Sequence, residues 1–324
     1  MKLLIVDKIH ECLMTELQDT FDIDYKPGLS YEETFALISS FDALIVRTGI
    51  SIDKALIEKG IKLKMIARAG AGMDNIDEVA AAARGIICLN APEANRDAVA
   101  EQTAGMLLAL LHNIVKADKE VRNALWQREE NRGRELSYQT VGIIGYGNTG
   151  TEVAKRLKAF GCSILVYDKY KTGFGEPGIK ECSMEMLFEQ ADVVSFHVPL
   201  TDLTYRMINS TFLSKFRKNI YLLNLSRGKI METTDILKEL NSGKIIGFAS
   251  DVLENEQINH GLAGLSVDQQ KNFIDLIERE NVIITPHIGG WSVESYEKIS
   301  KVLAYKLKEA CLKLKENRNI LVKH

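Results

Sequence analysis

Short apolar runs alternate with helical patterns along the chain. Residues 3–6, 43–46, 64–67 and 86–89 read as strands. Between them lie helix candidates such as 31–39, which opens on a capping box, Ser30 followed three residues later by Glu33. The rhythm resumes further on, with strands at 141–144, 164–167, 193–196, 221–224, 247–250 and 282–284 separated by helices. Such alternation predicts parallel sheets covered by helices through right-handed crossovers: an α/β chain of two Rossmann-like, doubly wound parallel-sheet domains.

Two stretches break the rhythm. Residues 95–125 form a long, largely helical segment, apolar around 106–111, expected to join the domains and to carry a subunit contact. Residues 293–315 form another long helix, with Ile299, Val302, Leu303, Leu307, Ala310 and Leu314 on one face. That face should pack back onto the first domain. The first domain is then discontinuous, residues 1–94 and 290–324, with the second, 95–289, inserted into it. Hinges are expected near 90–95 and 289–292, with the domains closing over substrate.

Composition narrows the field. A length of 324 residues suits two domains, and 46% apolar residues supply two cores. A net charge of −3 gives no general signal for nucleic acid or an anionic membrane. Five scattered cysteines without a CxxC pair argue against a disulfide framework or a metal site and fit a reducing compartment. The first apolar run is too short for a signal peptide, and the stretch 104–111 falls well short of the ~20 residues of a membrane span. The expected location is the cytoplasm.

The chemistry begins at Gly145-Tyr-Gly147-Asn148-Thr149-Gly150, a GxGxxG loop between an apolar strand and a helix at 148–160. Gly145 permits the tight turn, Gly147 lets backbone approach a pyrophosphate, and Gly150 lets helix and strand pack closely. The pyrophosphate meets free N–H groups at the helix start. Asp168, 18 residues after Gly150, ends the next strand, where it accepts ribose hydroxyls and repels a 2′-phosphate. The cofactor is therefore NAD rather than NADP, although Lys169 and Lys171 weaken the exclusion.

The remaining strands of the second half end in polar clusters that should border a ligand crevice. His287 suits a general base for the hydroxyl proton of a hydroxy acid. Glu256 is the carboxylate to orient it, and Arg227 the guanidinium to hold a substrate carboxylate. His197 is a rival base; without an acidic neighbour in sequence, it reads as lining the nicotinamide pocket. Each also has a plainer reading: a loop histidine, a surface turn at Arg227-Gly228, a solvated glutamate. In the first domain, Arg47 and Thr48 follow a strand and should face the crevice, where Arg47 is a cation for a phosphate; the backbone amides around Ala71 and Gly72 suit a carboxylate.

These stretches resemble the D-isomer-specific 2-hydroxyacid dehydrogenase family over nearly the whole chain. The carrying motifs are VRTGI at 46–50, ARAGAGMDNID at 67–77, AVAEQT at 98–103, GIIGYGNTG at 142–150, FHVPLT at 196–201, NLSRG at 224–228, DVLENE at 251–256 and TPHIGG at 285–290. The resemblance implies the Arg227, Glu256 and His287 roles and a nicotinamide-carboxamide contact from Asp251. It further implies cofactor contacts from Pro199, Thr204, Ser226, Gly289 and Gly290, a substrate contact from Asn95, and a homodimer built on the linking helix. Within the family the phosphoglycerate-oxidising members of short type are most similar, so 3-phosphohydroxypyruvate is the expected keto acid. Glyoxylate, hydroxypyruvate or another keto acid, and a non-enzymatic NAD-sensing scaffold, are the alternatives. The chain stops before the regulatory domain of some members, so serine feedback of that kind is not expected. Two departures stand out: Gln257-Ile-Asn, where relatives often carry proline, and an enlarged connection at 259–280.

Overall fold

Leu3, Leu4, Ile5 and Val6 are all buried, and alternate side chains enter different cores. Leu3 and Ile5 join one cluster, Leu4 and Val6 another on the opposite face. A strand covered on both faces by helices has no polar face, which is why these strands read as unbroken apolar runs.

The computed structural model describes residues 1–256 and 264–321, with side chains through 316. The chain divides into two compact units, Met1–Asn95 with Gly290–His324, and Arg96–Gly289. The first unit runs β1 (Lys2–Ile5), α1 (Cys12–Leu17), β2 (Asp22–Tyr25), α2 (Tyr31–Leu37), β3 (Ala43–Val46), α3 (Lys54–Lys59), β4 (Met65–Arg68), α4 (Glu78–Ala83) and β5 (Ile87–Leu89). The second runs α5 (Arg96–Leu111), α6 (Ile114–Arg122), β6 (Thr140–Ile144), α7 (Asn148–Lys158), β7 (Ser163–Tyr167), β8 (Lys180–Glu181), α8 (Met184–Gln190), β9 (Val193–Phe196), α9 (Ser210–Leu213), β10 (Ile220–Asn224), α10 (Thr233–Asn241), β11 (Ile245–Ser250), α11 (Val267–Ile277) and β12 (Val282–Ile284). The last helix, α12 (Val293–Leu321), returns to the first unit.

The first sheet is parallel, in the order β2-β1-β3-β4-β5. Its direction of growth reverses between β1 and β3, the place where open α/β sheets bind ligands. On one face α12 sets Ile299, Leu303, Leu307 and Ala310 beside Leu13 and Leu17 of α1. The second sheet is also parallel, β12-β11-β10-β9-β6-β7-β8, reversing between β6 and β9. Helices α5 and α7 cover one face, and α8 to α11 the other.

The structure adds what the apolar pattern does not reveal. β2, with the sequence DIDY, is a half-exposed edge strand, and β8 is a two-residue edge strand. The capping box at Ser30 is formed, with Glu33 and Ser30 bonding reciprocally. The stretch 95–125 is not one helix: Asn113 adopts φ +53, and α5 and α6 meet at a 62° bend. Asparagine tolerates that conformation better than most side chains, so it ends one helix and starts another. Among the described residues no single helix is long and apolar enough to cross a membrane. Of the 259–280 connection, 264–280 is described; it contains α11, started by a capping box between Ser266 and Gln269. Gln257-Ile-Asn and the start of that connection lie outside the described residues.

Candidate active site

The glycine loop is built as tightly as its spacing predicts. Gly145 has φ +97, and a Cβ there would lie 2.4 Å from the His197 carbonyl oxygen. A Cβ on Gly150 would lie 1.9 Å from the Gly145 carbonyl oxygen. At Gly147 nothing stands within 4 Å of an added Cβ, so this is the face open to a ligand. Gly147 precedes α7 without a side-chain cap, leaving the first-turn N–H groups around Asn148 and Thr149 without one.

Asp168 braces the loop. Its Oδ2 accepts the Tyr146 N–H at 2.7 Å, and its Oδ1 accepts those of Tyr170 and Lys171 at 2.8 and 3.0 Å. Burial opposes ionisation, but these backbone donors and the Lys171 charge outweigh it and hold the carboxyl below its usual range. Lys171 Nζ also donates to the Tyr146 carbonyl at 2.8 Å, a cation directly on the loop. An open glycine face, an uncapped helix start and an ionised carboxylate at the next strand end fit a dinucleotide.

His197 follows β9. Its Nε2 lies 2.8 Å from the Ser195 hydroxyl, and its buried Nδ1 has no partner among the described residues. Burial pushes the imidazole down to about 4, so it is neutral near pH 7. Beyond it, the Thr204 hydroxyl donates to the Pro199 carbonyl at 2.6 Å and accepts the Thr201 N–H at 2.8 Å, closing the 199–204 loop.

Arg227, Glu256 and His287 follow the carboxyl ends of three neighbouring strands, β10, β11 and β12. Buried Asn224 shapes the first turn. Its Oδ1 accepts the Ser226 hydroxyl and N–H at 2.8 and 3.1 Å, and its amide donates to the Arg227 carbonyl at 2.9 Å. Arg227 Nη1 donates to the Ser226 carbonyl at 2.7 Å. A Cβ on Gly228 would lie 1.7 Å from the Leu253 carbonyl oxygen, so only glycine lets this turn lie against the chain leaving β11. At the end of that chain, Glu256 Oε2 stands 2.8 Å from His287 Nδ1, both side chains exposed. A proton held on Nδ1 by the carboxylate leaves Nε2 free to accept another. The turn behind His287 is anchored by Asp251, whose carboxylate accepts the N–H groups of Ile288 and Gly289 at 2.9 and 2.7 Å.

The first unit holds the other predicted residues. Arg47 follows β3 at the sheet's reversal. Its guanidinium lies 3.6 Å over the Trp291 ring, which touches Tyr296 at 5.3 Å between centroids. Burial lowers its pKa, and among the described residues it has no ion pair. The Asp7 carboxylate accepts the N–H groups of Arg47 and Gly49 at 2.5 and 3.4 Å, while Thr48 is exposed. Ala71 and Gly72 lie in the half-buried turn after β4, where Asn90 donates to the Ala71 carbonyl at 2.6 Å. Asn95 lies against Gly290, where an added Cβ would be 2.4 Å from its amide nitrogen.

Sequence reasoning missed Ser195, Asn224, Thr285, Trp291 and Gln102 as site residues. Ser195, Asn224 and Thr285 lie in or beside strand-end motifs already singled out, so their placement was the available signal; Gln102 lies on α5 within the motif at 98–103, and Trp291 lies just outside the last motif.

The D-isomer specific 2-hydroxyacid dehydrogenase, NAD binding domain, family profile matches residues 104–289. The chain is 35% identical over 311 residues to a D-3-phosphoglycerate dehydrogenase of Methanocaldococcus jannaschii, covering 95% of this chain and 57% of that one. It is 35% identical over 279 residues to a hydroxypyruvate reductase of Thermotoga maritima, covering 86% and 88%. A D-lactate dehydrogenase of Aquifex aeolicus, solved with NAD and lactic acid, superposes with a TM-score of 0.84 at 29% identity over 96% of both chains. The chain spans 54–57% of the first curated relatives it matches.

Proposed function

The chain belongs to the D-isomer specific 2-hydroxyacid dehydrogenase family, and from that premise we propose that it is an NAD-dependent oxidoreductase that interconverts D-3-phosphoglycerate and 3-phosphohydroxypyruvate. Bound at the glycine loop, NAD supplies the hydride acceptor. His287 Nε2 takes the hydroxyl proton during oxidation and returns it during reduction. Glu256 fixes the tautomer and compensates the imidazolium. Arg227 supplies the paired N–H donors for the substrate carboxylate. The neutral His197 lines the nicotinamide side of the cofactor site.

The observation that carries the phosphorylated substrate is Arg47: a partly buried cation at a switch point, stacked on Trp291, without an ion pair among the described residues. Desolvating such a charge is costly unless an anion meets it, and a phosphate supplies that anion. The experiment is a panel of 3-phosphohydroxypyruvate, hydroxypyruvate, glyoxylate and pyruvate with NADH, on wild type and Arg47→Ala. Arg47→Ala should raise KM for the phosphate ester about 10–100-fold, the worth of a charged hydrogen bond, and move the others little. Equal use of hydroxypyruvate and its phosphate ester by wild type would remove the phosphate clamp. The fallback is reduction of an unphosphorylated keto acid, favoured by the nearly full-length match to the hydroxypyruvate reductase.

A further inference from the structure

His287 has φ +54. A side chain with a Cβ takes that left-handed conformation only where its surroundings impose it. Here the Asp251 carboxylate does so. It is 2% exposed, and the N–H groups of the two residues after His287 converge on it, Ile288 on Oδ1 and Gly289 on Oδ2. A Cβ on Gly289 would sit 2.9 Å from Oδ2, so the carboxylate and the turn are in close contact. The Thr285 hydroxyl, on the other side of His287, donates to Oδ1 as well.

The remaining partner comes from a distant element. Gln102 on α5, 149 residues away in sequence, donates its amide to Asp251 Oδ1 and to Thr285 Oγ1, both at 2.9 Å. Amide nitrogen rather than oxygen must face a carboxylate, so the side-chain orientation is fixed. Among the described residues no cation pairs with Asp251, and neutral donors stabilise its charge. Among the described residues Gln102 is the one donor that touches both ends of the clamp, the carboxylate behind the turn and the hydroxyl at its start.

We propose that Gln102 is a positioning residue for the proton transfer. Its amide ties Asp251 to Thr285, and this tie holds the left-handed turn that sets His287 against Glu256. The inference rests on reading His287 as the acid–base group, and the experiment separates the two.

Gln102→Leu, Gln102→Glu and His287→Ala would be compared with wild type in the full chain. Keto-acid reduction by NADH is followed from pH 5 to 8, with NADH affinity and melting temperature in parallel. Gln102→Leu should lower kcat about 10–100-fold, the scale of a misplaced catalytic group, with the NADH Kd within about threefold of wild type. Its kcat relative to wild type should not vary with pH. In Gln102→Glu the charged group in contact with position 102 is the Asp251 carboxylate, and two carboxylates repel. The relative kcat of Gln102→Glu should therefore rise at least about fivefold from pH 8 to pH 5, as the new carboxyl gains a proton to donate. A purely structural role lowers stability without producing that pH-dependent recovery. Gln102→Leu within twofold of wild type in kcat, or a pH-independent Gln102→Glu ratio, overturns the proposal. If Gln102→Leu does not fold, the Gln102→Glu ratio decides. Loss in His287→Ala with Gln102→Leu unaffected sinks the inference alone; full activity in His287→Ala sinks the acid–base reading and the inference with it.

Discussion

An imidazole's behaviour follows from what its two ring nitrogens touch. On His287 one nitrogen meets a carboxylate at 2.8 Å and the ring is exposed; on His197 one meets a neutral hydroxyl and the other is buried with no partner among the described residues. The first arrangement places a carboxylate where it can hold an Nδ1 proton and orient the ring; in the second, burial disfavours the charged ring. His287→Ala should therefore lose about 10²–10⁴-fold in turnover while NADH still binds, and His197→Ala should lose less. Stopped-flow kinetics with NADH titration checks this, and a larger loss at His197 reverses the assignment. His197 has a separate signature in stability. Its value in the fold is about 4, below the ordinary 6.5, so below pH 6.5 the unfolded chain takes up a proton that the native chain refuses. Its stabilising contribution is thus intact above pH 6.5 and erodes as the pH falls toward 4. Melting temperatures from pH 7.5 to 4.5 should fall more steeply for wild type than for His197→Asn; equal slopes would mean the buried ring is not a source of acid sensitivity.

At the scale of elements, the site depends on how closely neighbouring strand exits approach. Gly228 is the clearest case, since an added Cβ would overlap backbone, the Leu253 carbonyl oxygen at 1.7 Å, which cannot swing aside. Gly228→Ala should cost about 1–3 kcal/mol, an overpacking penalty, and lower kcat by displacing Arg227 from the chain that leads to Glu256. Urea melts and steady-state reduction rates test both, and a wild-type midpoint with wild-type kcat would refute the crowding. The same scale explains what the sequence made legible. The central strands were readable because both faces are buried, and the site's outline because its motifs sit where those strands end. β2 escaped notice because an edge strand tolerates DIDY, with half its side chains wet. The bend between α5 and α6 escaped because a lone asparagine carries none of the Gly or Pro signal that marks a helix break in sequence. Gln102 escaped for a third reason: its partners are 149 and 183 residues away, and no local pattern encodes a hydrogen bond across that separation.

At the scale of the whole molecule, one run of exposed apolar side chains falls on a single segment. Ile114, Val115, Val121, Leu125 and Trp126 are exposed along α6 and the segment after it, Trp126 by 85%. Exposed apolar side chains concentrated in one short segment can form an interaction site, and we propose a second copy of this chain as the occupant. Light scattering should give twice the 36.3 kDa chain mass, and Val121→Glu with Trp126→Glu should return it to the single mass; an unchanged mass in the double variant would place the contact elsewhere. The first unit has a consequence of another kind, which concerns time. Leu3 and Ile5 share a core with Leu303 and Leu307, yet a complete second unit is encoded between them. A ribosome delivers β1 to β5 first and α12 last. At about 5–20 residues per second, the 194 residues of Arg96–Gly289 take roughly 10–40 s to appear. During that interval one face of the first sheet, including Ala43, Ile45, Met65 and Ala67, lacks the part of its cover that α12 supplies, and at its end the later-made unit has every segment of its own core while the first still waits for that helix. The part of the chain born first is thus the last to be completed, and its uncovered face is what a chaperone would meet on the nascent protein.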